Sequence, residues 1–158
     1  HSNKFYLISK KISNKRIKCD AIITDQRKIP IGVLTADCAP IIIFDPKRMV
    51  VSMVHAGWKG AFKEIIKKII TFFKKKGSNV KDLIVVIGPC ISVKNYEIKK
   101  DFLKKFLKKD KKNKIYFRFS HNKIFFHSHP LIYTFLRLLS IVYRGLFSSG
   151  TNTCLGIV

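Results

Sequence analysis

Short apolar runs alternate with polar, turn-forming stretches through the first half of the chain. "FYLI" (5–8) and "AIIT" (21–24) have the length and β-branched character of strands, and a basic connection, "KKISNKRIKCD", lies between them. "DQRKIP" reads as a turn. "IGVLT" (31–35) and "PIIIF" (40–44) are two further runs of strand length, with "ADC" between them. "DPKR" (45–48) is a turn signal, and "MVVSMV" (49–54) is a strand that delivers His55 at its C-terminal end.

After "AGWKG" the period changes. Ala61, Phe62, Ile65, Ile66, Ile69, Ile70 and Phe73 recur at helical spacing with lysines on the other face, so a helix is expected from about 61 to 76, stopped by "KKKGSN". "LIVVIG" (83–88) is a buried strand, and "PCI" turns after it. Residues 97–114 read as a second amphipathic helix, with Ile98, Phe102, Leu103, Phe106 and Leu107 as its stripe. The Lys-rich face of this helix is read as solvated, over an ordinary core contact. "KIYFRF" and "KIFF" are two strands turning at "SHN", and "HPLIYTFLRLLSIVYRG" is a third helix. Strands and helices interleave with hairpin-short connections, which points to α+β.

The 158 residues and a 47% hydrophobic content fit one domain with a real core, residues 1–158. Both ends read as cut, so the domain is expected to be incomplete at each. No apolar run approaches the roughly 20 residues that span a bilayer, and no membrane partner is expected. The net charge of +23 favours polyanions in principle. Most of it is lysine, however, in a chain also rich in Ile, Asn and Phe. That is read as codon bias rather than specific nucleic-acid binding. Cys19, Cys38, Cys90 and Cys154 show no CxxC spacing and no secretion signal is read in these residues, so free thiols in a reducing cytoplasm are expected.

Cys38 stands seven residues before the turn at 45–48 and His55 seven residues after it. An antiparallel hairpin of that symmetry brings both to one end of the sheet. The pair admits three readings: a nucleophile with its base, two ligands of a zinc ion that needs one more, or a buried thiol beside a strand-end histidine. "HAGWKG" adds a strand-to-helix turn whose backbone suits an anion, with Lys59 for charge and Trp58 for a flat ring. Cys90 sits at another sheet rim and could line the same pocket. His127 and His129 alternate as strand neighbours, without an acidic or Cys partner nearby.

Together, "DAIITDQ", "LTADCAPIIIFDP", "VHAGWKG" and "IGPCISVKNYEI" resemble the successive signature blocks of the YfiH-type family, also called the multicopper polyphenol oxidase or laccase-domain family and, more recently, purine nucleoside phosphorylases. The blocks run in family order over about Asp20 to Phe102. The resemblance implies a layered αββα sandwich with mixed β-sheets. It also implies a zinc site built from the Cys of "TADC", the His of "VHAGW" and an upstream His, here Cys38, His55 and His1.

The implied activity is phosphorolysis of adenosine, inosine, guanosine or methylthioadenosine, with possible adenosine deamination. Asp37 is then a candidate for orienting a ligand or moving a proton, and Trp58, Lys59, Gly60 and Cys90 for shaping the nucleoside and phosphate pocket. The distant likeness to Cys–His deamidase toxins keeps a metal-free hydrolase as the alternative, beside an inactive partial member. The histidines are too few for a three- or four-copper centre. The C-terminal Arg-bearing block is absent, although "NTCL" resembles the block that precedes it. The oligomeric state is left open.

Overall fold

A computed structural model describes residues 1–8, 17–127, 132 and 143–145. It divides into two compact units, one of residues 1–90 and 135–158 and one of residues 91–134.

The first unit holds a six-stranded sheet. Its strands are β1 (Phe5–Ile8), β2 (Ala21–Thr24), β3 (Ala39–Asp45), β4 (Val50–Ala56), β5 (Ile84–Ile87) and β9 (Tyr143–Gly145), in the order β1-β2-β4-β3-β5-β9. The outer pairs β1–β2 and β5–β9 are parallel, and every inner pair is antiparallel. The sheet is therefore mixed.

In β3 and β4 buried and half-buried positions alternate strictly, as a period of two demands when one face is fully covered. Ala39, Ile41, Ile43, Val54 and Ala56 lie on the covered face. The turn between these strands is held by Asp45, whose Oδ1 accepts from Lys47 N at 2.9 Å and Arg48 N at 3.1 Å.

Two helices follow β4: α1 (Trp58–Phe62) and α2 (Ile65–Lys75). The expected helix therefore starts three residues earlier and is broken at Glu64, which takes a left-handed φ of 61°. The expected stripe is the buried one, with Ile65, Ile66, Ile69, Ile70 and Phe73 all inside. Phe72 reaches β1, its ring 5.3 Å from that of Phe5.

Residues 31–35 do not form a strand, and Leu34 is 97% exposed. The run is apolar enough, but both edges of β4 are already taken by β2 and β3, and both edges of β3 by β4 and β5. The sheet has no interior place for it.

The second unit has an antiparallel three-stranded sheet of β6 (Glu97–Ile98), β8 (Lys123–Phe126) and β7 (Phe117–Ser120), with α3 (Lys100–Lys109). The helix expected over 97–114 is shorter at both ends. Asp110 stops it with extended backbone, and its side chain accepts from Lys112 N at 2.8 Å, restarting the chain as a 3-10 helix over Lys111–Tyr116. Phe106 is fully buried, stacked on Phe102 and packed edge-on or tilted against Phe117 and Phe126, so the stripe of α3 is centred on a core residue. The β7–β8 hairpin turns at His121 and Asn122, both with positive φ, as a two-residue primed turn requires. The third expected helix falls mostly outside the described residues, and its last residues, Tyr143–Gly145, are strand β9.

Candidate metal centre

The register of β3 and β4 sets Pro40 against His55 and Ala39 against Ala56. One step further along, Cys38 stands across from Gly57. The turn symmetry expected Cys38 and His55 at one end of the sheet, and the register puts them there, two positions away from direct opposition. A displacement of two keeps the face, and Cys38 and His55 still share the half-buried side of the sheet at one end.

His1 joins them. One ligand atom from each of His1, Cys38 and His55 lies within 4.8 Å of the other two. The imidazoles of His1 and His55 are tilted at 47° with centroids 4.9 Å apart. His1 is exposed, and the other two are partly buried. The space between them depends on Gly57. A Cβ there would lie 3.0 Å from Cys38 Sγ and 3.1 Å from His1 Nδ1.

Asp20 stands behind this group. It precedes β2 and pairs directly with His55 in the β2–β4 register, where His55 N donates to Asp20 O at 2.7 Å. On its other side Asp20 N donates to Lys4 O at 3.0 Å, continuing the β1–β2 pairing. Its carboxylate accepts from His55 Nδ1 through Oδ1 at 2.9 Å and from Ser2 N through Oδ2. Burial pushes this carboxyl up, but the hydrogen bonds from Ser2 and His55 outweigh it and hold the group below its ordinary value. Burial also pushes the Cys38 thiol up, and the charges of Asp37 and Asp20 add to that.

Asp37 is exposed, one residue before Cys38, and its effect there is electrostatic. Trp58 opens α1 and is half-buried, with Lys59 Nζ 5.5 Å from its ring centroid. Gly57 caps α1 without a side-chain bond, and the helix has only five residues. Gly60 is buried, and a Cβ on it would lie 2.9 Å from Ser2 O. This close approach seats the segment that carries His1 on α1, and Asn3 Nδ2 secures it further by donating to Lys63 O at 2.8 Å.

Cys90 follows β5, at the same rim as Cys38, because Gly88 N bonds to Pro40 O at 2.8 Å. It is not one of the three clustered donors. His127 donates its backbone N–H to Tyr116 O at 2.8 Å. His129 and Cys154 lie outside the described residues. Asp20 is the site residue that the linear sequence did not reveal. Its signal is positional: it is the last residue before a strand that pairs with the strand ending in His55.

Donor type and arrangement fit a transition metal. Two imidazoles and a thiolate make a three-ligand set with an open position, the pattern of a catalytic zinc site. A carboxylate behind a ligating histidine is its usual outer support. Among the described residues no second cluster of three such donors exists, as several coppers would require.

A sequence profile of the family described as multi-copper polyphenol oxidoreductase laccase matches residues 1–154. The chain belongs to that family. A purine nucleoside phosphorylase of Rickettsia conorii is 38% identical over 100 residues, 63% of this chain and 41% of that protein. One of Clostridium acetobutylicum is 40% identical over 88 residues, 55% and 37% of the two chains. This chain thus spans about two fifths of these relatives' length.

The crystal structure of the Bacillus licheniformis hypothetical protein YfiH superposes with a TM-score of 0.76 at 21% identity, covering 94% of this chain and 60% of that one. A Neisseria meningitidis protein gives a TM-score of 0.76 at 23% identity, covering 91% and 59%. The α+β architecture of this laccase-family chain is that of the YfiH-type proteins.

Proposed function

We propose that this chain carries the metal centre of a zinc-dependent purine nucleoside phosphorylase, with His1, Cys38 and His55 as ligands. The observation that carries the reading is the convergence of these three donors, with Asp20 bonded to His55, in a chain whose relatives bear that enzyme name. A zinc ion held by them would supply Lewis acidity toward an oxygen or a water. The chain's own part is to fix the donors and shape the rim.

Asp20 directs His55 Nδ1 away from the cluster and leaves Nε2 as its free nitrogen. Gly57 leaves the volume open. Trp58 presents a ring suited to a purine base, and Lys59 a cation suited to phosphate. Adenosine, inosine, guanosine and methylthioadenosine are the substrates to test, and adenosine deamination is a second activity open to an activated water.

Elemental analysis of the wild type and Cys38→Ala tests the metal. About one zinc per chain in the first and none in the second is the expected result, and equal content removes the site as drawn. Adenosine incubated with phosphate tests the reaction, with adenine and ribose 1-phosphate expected. Hypoxanthine or inosine in its place would report deamination.

The line Asp20–His55–Cys38 also has the form of an oriented base beside a thiol nucleophile, which is the alternative, metal-free hydrolase reading. A nucleophilic cysteine needs its pKa lowered, whereas burial and two carboxylates push this one up. That favours a thiol waiting for a cation.

A further inference from the structure

We propose that Asp20 is the positioning residue of this site, selecting the histidine nitrogen offered to the cluster and seating the segment that brings the third donor. The geometry shows one carboxylate used twice. Oδ1 takes His55 Nδ1 and Oδ2 takes the backbone N–H of Ser2, the residue next to His1. The main chain of Asp20 is tied at the same time to Lys4 on one side and His55 on the other. Two of the three donors are therefore indexed to a single side chain.

An ionised carboxylate only accepts hydrogen bonds. The proton of neutral His55 must then sit on Nδ1, which leaves the Nε2 lone pair bare. Nothing else in the described structure bonds to either ring nitrogen of His55 and could set the tautomer. The carboxylate also meets a demand that its amide cannot. Asparagine offers one accepting oxygen and one donating NH2. If its oxygen serves His55, its NH2 faces the N–H of Ser2, donor against donor. If its oxygen serves Ser2, its NH2 faces His55 Nδ1 and drives the imidazole proton to Nε2, the atom the cluster needs bare. Asp20→Asn is close to isosteric, yet it must lose one of the two functions.

The test has two arms. The first uses the metal-free protein and the imidazole 15N resonances of its histidines at slightly alkaline pH, with His55 assigned by comparison with His55→Gln. The wild type is expected to show the Nδ1–H tautomer of His55. Asp20→Asn is expected to shift it toward Nε2–H or to release the Ser2 amide to rapid hydrogen exchange. A wild type with Nε2–H overturns the proposal even if the variant fails to fold, and so does a variant that keeps both features.

The second arm rests on the metal reading above and compares zinc affinity by competition with a chelator. Asp20→Asn is expected to bind about 10–100-fold more weakly, the usual penalty for losing an outer-shell partner. Asp25→Asn, an exposed acid just past the opposite end of β2 from Asp20, is the control with affinity unchanged. Equal affinity of Asp20→Asn and wild type overturns the positioning role. A wild type that binds no zinc sinks the metal reading instead, while the tautomer measurement still decides the role of Asp20.

Discussion

Cys38 and His55 lie on one face of the β3–β4 hairpin without being opposed partners. The residue across from Cys38 is Gly57, and its missing side chain is the space in which Cys38 and His1 approach one another. A methyl group there would press on Cys38 Sγ and on His1 Nδ1. Gly57→Ala is expected to fold and to lose zinc affinity by about 5- to 150-fold, the equivalent of the about 1–3 kcal/mol that overpacking costs. Chelator competition measures it, and an unchanged affinity would show that the donors do not need the gap.

Gly60 meets a different obstacle. Its added Cβ would lie 2.9 Å from the carbonyl oxygen of Ser2, which is backbone and cannot swing aside. Gly60→Ala should therefore shift either α1 or the segment carrying His1, at a cost of about 1–3 kcal/mol. Urea unfolding of the metal-free protein reads the cost. Zinc binding in the same variant shows whether the displaced partner is His1.

The Cys38 thiol is held above its ordinary value by burial first, and then by the charges of Asp37 and Asp20. In the metal-free protein its alkylation rate should rise with pH at a midpoint above that of a free thiol. The sign for stability follows: a raised thiol pKa contributes at low and neutral pH, and the contribution disappears as pH climbs through the folded value. Zinc should protect the thiol from alkylation at all these pH values. An alkylation midpoint below the ordinary thiol value would restore the nucleophile reading.

At the other end of the hairpin, Asp45 is 1% exposed and accepts two backbone N–H groups of its own turn. Burial raises its carboxyl, but hydrogen bonds prevail and hold it low. A lowered carboxyl stabilises above the unfolded value of about 3.9, and that stability is lost as pH falls through the folded one. Asp45→Ala should cost about 1–3 kcal/mol at neutral pH by leaving the turn donors unsatisfied. It should also flatten the acid limb of a stability-versus-pH curve. A limb as steep as the wild type's would assign the acid sensitivity elsewhere, with Asp20 next in line.

Much of this arrangement was legible in the residues because hairpins are local. The turn at 45–48 and the alternation on either side placed Cys38 and His55 at one end of the sheet, and the two-position offset between them keeps both on one face. Residues 31–35 were misread because an apolar run reports tendency, not vacancy, and the interior sheet positions were already filled. The start of α1 was hidden by two glycines, which weaken helix propensity. They are tolerated because other chain segments come close at Gly57 and Gly60. Asp20 was invisible as a site residue because its pairing with His55 joins strands distant in sequence, and nothing in "KCDAIIT" marks the carboxylate as anything but a strand-end acid.

Among the described residues β1 is an outer strand, hydrogen-bonded along one edge, and the residues just before it bring His1. A cation gripping His1 as well as Cys38 and His55 would work as a clasp, tying the sheet's border to its central hairpin. Fraying of that border and release of the ion then become one event. The melting temperature should track free zinc concentration as mass action dictates, and the amides of β1 should gain more exchange protection on loading than those of β3.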